Sequence, residues 1–242
     1  MTPADLQKRR LDELLDAAAY GLDQAARYVG VPRNTLRDWV QGRSYPVKAG
    51  GKATATAIIV PADLHPTRLS FNNLLEAHVL EAVWRQHRVK LQQIRQAVAW
   101  MRRNLRSARP LIEQVILTDG KDVFVQHLGE LINASREGQR AMSEVLDLYL
   151  RRIDRDATGL PVRLYPFTRP SAHLFESPRI VAIDPRIAFG RPVLATSSAP
   201  TGVIAERYQA GESIEDLADD YGETPEHIQE AIRCELQFAR AA

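Results

Sequence analysis

Apolar positions recur at helical spacing along most of this chain. Leu6, Leu11, Leu14 and Leu15 lie on one side of a segment spanning 5–18, which predicts a first amphipathic helix. A short helical piece follows from Asp23 to Val29, with Ala25, Ala26 and Val29 inward. VGVPR then reads as a turn, and Arg33 to Val40 as a second short helix with Leu36 and Val40 four apart on one face. Gly42 stops that helix, and Asp38 inside it is placed to pair with a nearby arginine. Behind the two helices, SYPVKAGGKATATAIIVP reads as two extended runs turning at Gly50-Gly51, with TATAIIV β-prone and Pro61 at its end. A small hairpin, or wing, is expected there.

Two longer helices come next. Ser70 is placed to cap one running to about His87, with Leu74, Leu75, Val79, Leu80 and Val83 as its apolar stripe. After a break at Val89, KLQQIRQAVAWMRRNL turns Leu91, Ile94, Val98, Met101 and Leu105 inward. Residues 110–170 change character. EQVILTDGKDVFVQHLGELINA predicts short strands joined at Asp119-Gly120, GQRAMSEVLDLYLRRI a helix, and GLPVRLYPF a strand. TRPSAHLFESP is the best linker candidate. RIVAIDPRIAFGRPVLA then predicts two short β pieces around Phe189-Gly190, and three helices follow at Thr201 to Gln209, Ser213 to Tyr221 and Thr224 to about Phe238. The fold class expected is mostly α with small β elements, α+β. Its parts are a winged helix-turn-helix with two longer helices (1–109), a central α+β segment (110–170) and an acidic C-terminal unit (171–242).

Charge divides the chain where the pattern does. Residues 1–109 hold 18 Lys/Arg and 9 Asp/Glu, a net +9; residues 110–242 hold 14 and 21, a net −7. The two ends therefore suit different partners. Cys234 is the single cysteine, so no internal disulfide forms, which fits a reducing cytoplasm. Neither a secretion signal nor a membrane span is legible.

The front helix pair has the form of a DNA-reading unit, whose second helix enters the major groove with its N-terminal residues at base edges. Arg33, Asn34, Thr35 and Arg37 occupy that end. Arginine matches the two acceptors of guanine, asparagine can match adenine, and threonine can bond a phosphate or touch a thymine methyl. Arg43, Lys48 and Lys52 are placed to hold phosphates beside them. Trp39 is read as core packing rather than as a wedge against DNA. A second pair, AGESIEDLADDYGETPEHIQEAIRCELQ, repeats the shape with opposite charge: residues 206–235 hold ten acids against Arg207 and Arg233. Glu223, Glu226, Glu230 and Glu235 crowd its second helix and would repel phosphate. That unit is expected to bind protein.

AARYVGVPRNTLRDWVQG, followed by LSFNNLLEAHVLEAVWRQHRVKLQQIRQAV, is similar to the winged DNA-binding half of many bacterial and mycobacterial antitoxins. It also resembles MerR-type regulators, without the cysteine cluster of their metal sensors. SPRIVAIDPRIAFGRPVLATSSAPTGVIAERYQAGESIEDLADDYGETPEHIQEAI resembles the small C-terminal domain of VapB-like antitoxins encoded beside PIN-domain or PIN-like toxins. Gly190 and Pro192 match that family's Gly-Pro pair, and Gly211 and Ser213 its Gly-Ser helix start. ATSS, at 195–198, lacks the arginine of its Gly-Thr-Arg-like segment. The resemblance implies a type II antitoxin that blocks a PIN-type ribonuclease and represses its own operon as a homodimer on double-stranded operator DNA. Arg163 and Arg169 in the middle, and Glu226 and Glu230 at the rear, are the candidates for protein contact.

Catalytic and metal chemistry are not expected. Asp154, Asp156, Asp219 and Asp220 read as surface charge, and the six histidines are scattered without metal-ligand spacing. No phosphate-binding glycine loop is present, and no cofactor is implied. Two other functions share these features: a stand-alone MerR-like transcription regulator, and an interaction adaptor that never touches DNA.

Overall fold

The computed structural model describes residues 3–46, 51–87, 89–117, 120–169 and 176–240. Helix α1 spans Pro3–Asp16 and leads into a two-residue strand β1 (Tyr20–Gly21). Helices α2 (Leu22–Val29) and α3 (Arg33–Gln41) follow, then strands β2 (Arg43–Pro46) and β3 (Lys52–Ala55), paired antiparallel. The wing thus stands where the two extended runs were expected. Its second strand is shorter than TATAIIV suggests, because Ile58 and Ile59 leave it to enter the core. Short strands β4 (Asp63–Leu64) and β5 (Thr67–Leu69), which the sequence did not suggest, complete a three-stranded sheet with β1. On α1 the leucines divide. Leu15 is buried, whereas Leu6 and Leu14 face solvent rather than inward.

Helix α4 (Phe71–His87) is the axis of the front half. Ser70 caps it as expected: its hydroxyl accepts from the Asn73 N–H (3.1 Å), and the Asn73 side chain accepts from the Ser70 N–H (3.1 Å). Every residue from Phe71 to Val83 is buried, so this stretch of the helix carries no solvent face. Its polar residues therefore need internal partners. His78 bonds the Tyr149 carbonyl at 3.1 Å and stacks on Phe167, and burial holds its pKa down at about 3. Glu76 lies between Arg102 (3.7 Å) and Arg109 (3.9 Å) and accepts from Asn73.

Burial pushes the Glu76 carboxyl up to about 7, against the pull of Arg109, Asn73 and Arg102. A carboxyl raised in the folded state binds its proton there more tightly than in the unfolded chain. Its contribution is therefore complete below about pH 4.5 and is lost as pH rises through about 7. Glu76→Gln removes that dependence. Urea melts at pH 5 and pH 8 are expected to show wild type losing up to about 3 kcal/mol more than the variant. Parallel losses in the two proteins would show that Glu76 stays ionised across this range.

Helix α5 spans Leu91–Asn104. The stretch expected as strands around Asp119-Gly120 is a 3-10 turn (Gln114–Leu117) and helix α6 (Gly120–Ile132); Asp119 lies outside the described residues, and Gly120 opens the helix. Phe124, Val125 and Leu128 share its buried face against α5 and α7. Helix α7 (Arg136–Leu150) ends sooner than expected, and Ile153 begins strand β6 (Ile153–Arg155). Strands β6, β7 (Pro161–Leu164), β8 (Val181–Ile183) and β9 (Pro192–Leu194) form one antiparallel sheet in that order. The central segment and the C-terminal unit thus share a sheet. The linker candidate is partly outside the described residues, at 170–175. Its described ends are held, with Thr168 and Ser177 both buried.

Helices α8 (Thr201–Gln209), α9 (Ile214–Tyr221) and α10 (Pro225–Arg240) close the chain. Ser213 caps α9 by accepting from the Asp216 N–H at 3.0 Å. Leu194, Ile204, Leu217, Ile228, Cys234 and Phe238 form the core of this unit. Tyr28 of α2 packs on that core and on the larger front one, its ring 5.1 Å from Phe238 and 6.2 Å from Tyr20. The whole is a mostly helical α+β fold with small sheets.

Candidate nucleic-acid interface

The angle between α2 and α3 is fixed by local chemistry. Gly30 takes a left-handed conformation (φ 77°) that closes α2. Its N–H donates to Arg27, and the Val31 N–H donates to Ala26 at 3.0 Å, which satisfies the carbonyls at the helix end. Pro32 precedes the first turn of α3 and has no N–H to lose there. Leu36, Trp39 and Val40 bury the inner face of α3, with the Trp39 ring edge-on to Trp84 at 5.9 Å. Trp39 is a core residue, fully buried.

With that face buried, the opposite one is set. Arg33, Asn34 and Arg37 are exposed at the start of α3, and Thr35 is half-buried beside them. An open notch next to them is lined by Asn34, Arg37, Asp38, Gly42, Arg43 and Ser44. All four residues of β2 are exposed, as is Lys52 across the wing. Gly42 is required where α3 meets the wing: its φ is 75°, and a Cβ there would lie 2.3 Å from the Ala55 carbonyl oxygen. Arg33 pairs with Asp23 (2.5 Å), and Arg43 stands 3.7 Å from Asp38, the local pairing expected for that aspartate. Both arginines are largely solvent-exposed, so such pairs contribute little and can yield to phosphate. Lys48 lies outside the described residues.

Four other basic residues bond backbone carbonyls of the fold, a role that the charge count does not reveal. Arg85 donates to the Gly30 carbonyl in the turn itself. Arg95 donates to Thr56 (2.5 Å) and Arg102 to Ile58 (2.7 Å), so α5 grips the chain just behind the wing. Arg68 donates to Ala19 at 2.9 Å. The Trp39 carbonyl accepts from both Ile58 (2.7 Å) and Ile59 (3.0 Å). Helix α3 and the wing therefore rest on α4 and α5 as one piece. The signal available in sequence was an arginine beside inward apolar positions, as Arg102 follows Met101.

At the rear the expected acidic face is only partly a surface. Glu230 is buried and bridges Arg169 (2.6 Å), Arg233 (3.0 Å) and Thr168. Glu223 accepts from the Ser197 N–H (2.9 Å), Thr196 and His227, and these bonds hold its pKa down at about 2 despite partial burial. Glu235 accepts from Thr201 at 2.5 Å. Of the four glutamates expected on the last helix, Glu223 lies just before α10 and Glu226 alone is exposed. The other three serve as internal ties: Glu223 to the loop before α8, Glu235 to α8 and Glu230 to the end of the central segment. Arg163 likewise pairs inward, 3.4 Å from Asp184. Glu206, Glu215, Asp216, Asp219 and Asp220 on α8 and α9 keep the outer surface acidic.

Asp154 and Asp156 do not converge. Asp154 accepts from Tyr165 (3.0 Å) and Arg179, while Asp156 caps the turn at Thr158 and Leu160. Among the described residues no group of three or more His, Cys, Asp or Glu is placed to hold a metal ion. No described helix is long and apolar enough to cross a membrane.

Residues 18–98 match the family model described as "Putative DNA-binding HTH domain", the stretch that spans the helix pair, the wing and α4. Residues 181–233 match a family described as "Protein of unknown function (DUF433)", from β8 into α10. The chain is similar to a protein of Mycobacterium tuberculosis (strain ATCC 25618 / H37Rv) described as "Putative antitoxin VapB45", with 31% identity over 243 residues, 93% of this chain and 96% of that one. It is also similar to the X-ray crystal structure of Rv2018 from Mycobacterium tuberculosis, with a TM-score of 0.64 and 26% identity, covering 90% of this chain and 98% of that chain. The chain belongs to the VapB-like antitoxins, a non-catalytic family, and carries its helix-turn-helix DNA-binding domain at the N-terminus.

Proposed function

We propose that this protein is the antitoxin of a type II pair: it neutralises a PIN-type ribonuclease and, as a homodimer, represses its own operon. The observation that carries the DNA half is the exposed group Arg33, Asn34 and Arg37, displayed on a helix whose other face is locked by Leu36, Trp39 and Val40. In this reading those residues and Thr35 meet base edges, while Arg43 and Lys48 hold the flanking phosphates. A two-fold dimer would present two such helices about one DNA turn apart. The toxin half is supported by family membership and by a C-terminal unit that adds its own core to the same fold.

The test is co-expression with the product of the neighbouring gene, which this reading expects to be PIN-type, followed by purification and titration against upstream DNA at several salt concentrations. A complex that blocks RNA cleavage and binds that DNA with a steep salt dependence is expected. DNA binding without a toxin complex would leave a stand-alone regulator. A toxin complex without DNA binding would leave an interaction protein.

A further inference from the structure

The C-terminal unit displays one aromatic ring almost wholly to water. Phe189 is 91% exposed, far more than any other large apolar side chain among the described residues. It stands at the tip of the turn between β8 and β9. Ala188 (φ 48°), Phe189 (φ 57°) and Gly190 (φ 71°) are successive left-handed residues there. A phenylalanine rarely takes that conformation, and burial of the ring does not compensate for it.

The turn is nevertheless held at every step. The Ile187 N–H donates to Asp184 and the Gly190 N–H to Ile187, each at 2.9 Å, while the Arg191 N–H donates to Ala188 at 3.2 Å. The buried Asp184 carboxylate takes two bonds from the Arg186 guanidinium (2.8 and 2.6 Å) and faces Arg163. Gly190 packs so closely on Tyr20 that a Cβ would lie 2.2 Å from its hydroxyl oxygen. A rigid turn thus presents an aromatic ring with the exposed arginines 186 and 191 on either side in sequence. Aromatic and arginine side chains held rigidly are the usual anchors of protein interfaces, and strained backbone concentrates at such contact points.

We propose that the β8–β9 turn is the element that seats in the toxin, with Phe189 filling an apolar pocket and Arg191 meeting a carboxylate at its rim, while Arg186 stays on Asp184 and holds the turn. The acidic rim follows from charge complementarity with Arg191. The inference rests on the antitoxin reading and names its contact surface.

Phe189→Asn is the informative variant, because asparagine accepts the left-handed backbone while removing the ring. Its melting temperature is expected to equal or exceed that of wild type. Its affinity for the purified product of the neighbouring gene, the expected toxin, measured by titration calorimetry, is expected to fall at least tenfold. Arg191→Glu is expected to weaken the same complex by a similar factor. Unchanged affinity in Phe189→Asn would overturn the proposal while leaving the antitoxin reading intact. So would a variant that loses self-association but keeps the toxin, since the turn would then belong to a dimer contact. A wild-type chain that fails to bind the toxin would overturn both.

Discussion

Changing Arg33 and Arg37 together to alanine is expected to weaken operator binding on the order of a thousandfold. A well-placed arginine at a base edge is worth about 1–3 kcal/mol, so two near the middle of that range give about 4 kcal/mol. Both side chains are exposed on the outer face of α3, and neither touches the Leu36, Trp39 and Val40 core. The fold should therefore survive the change, and toxin binding with it. Arg33 gives up only its exposed bond to Asp23. Fluorescence anisotropy at several salt concentrations separates two roles. Loss of phosphate contacts would lower the slope of log K against log salt by about 0.9 per contact. Loss of base contacts would leave the slope nearly unchanged and level the preference for operator over unrelated DNA. Tight, selective binding by the double variant would move the reading surface away from α3.

This region was readable because its signals are local. Gly30 permits one kind of helix end, Pro32 one kind of helix start, and the four-residue interval from Leu36 to Val40 places the inner face. Ser70 and Ser213 announced their helices for the same reason. Residues 120–132 were misread because KDVFVQHL looks β-prone, and that preference yields when packing decides. Phe124 and Leu128 need one face turned toward both α5 and α7, which a helix supplies. The acids at and just before α10 failed differently. Counting charge assumes that a carboxylate points to water, yet Glu223 and Glu230 point into hydrogen bonds formed by residues 26 to 62 positions earlier. No local pattern encodes that. Nor could sequence show that Gly190 serves Tyr20, although its place in a recognisable Gly-Pro pair drew attention to it.

Arg152 was hidden most completely, as one basic residue within RRIDRD, and its removal is expected to cost about as much as any single change in the protein. The side chain is 5% exposed. Its guanidinium donates to four carbonyls: Tyr165 (2.8 Å), Ser177 (2.8 Å), Pro166 (2.9 Å) and Pro178 (2.9 Å). It also lies over the Phe167 ring, 4.9 Å from its centre. Burial lowers its pKa to about 10, so the charge persists at neutral pH and the carbonyl dipoles solvate it in place of water. These carbonyls belong to the end of the central segment and to the approach to β8, so one cation fastens the rear unit to the middle. Arg152→Met keeps the apolar stem and strands the acceptors. With about 1–3 kcal/mol for each carbonyl left dry, offset where water enters, the expected loss is about 4 kcal/mol. In a chain of this size that lowers the melting temperature by roughly 8–16 °C. Arg152→Lys keeps the charge but cannot reach all four oxygens from one ammonium, and should fall between the two. If methionine melted within about 3 °C of wild type, the four bonds would be exchanging with water at no net cost. The junction would then be held by the Arg169–Glu230 bridge and the pairing of β7 with β8 instead.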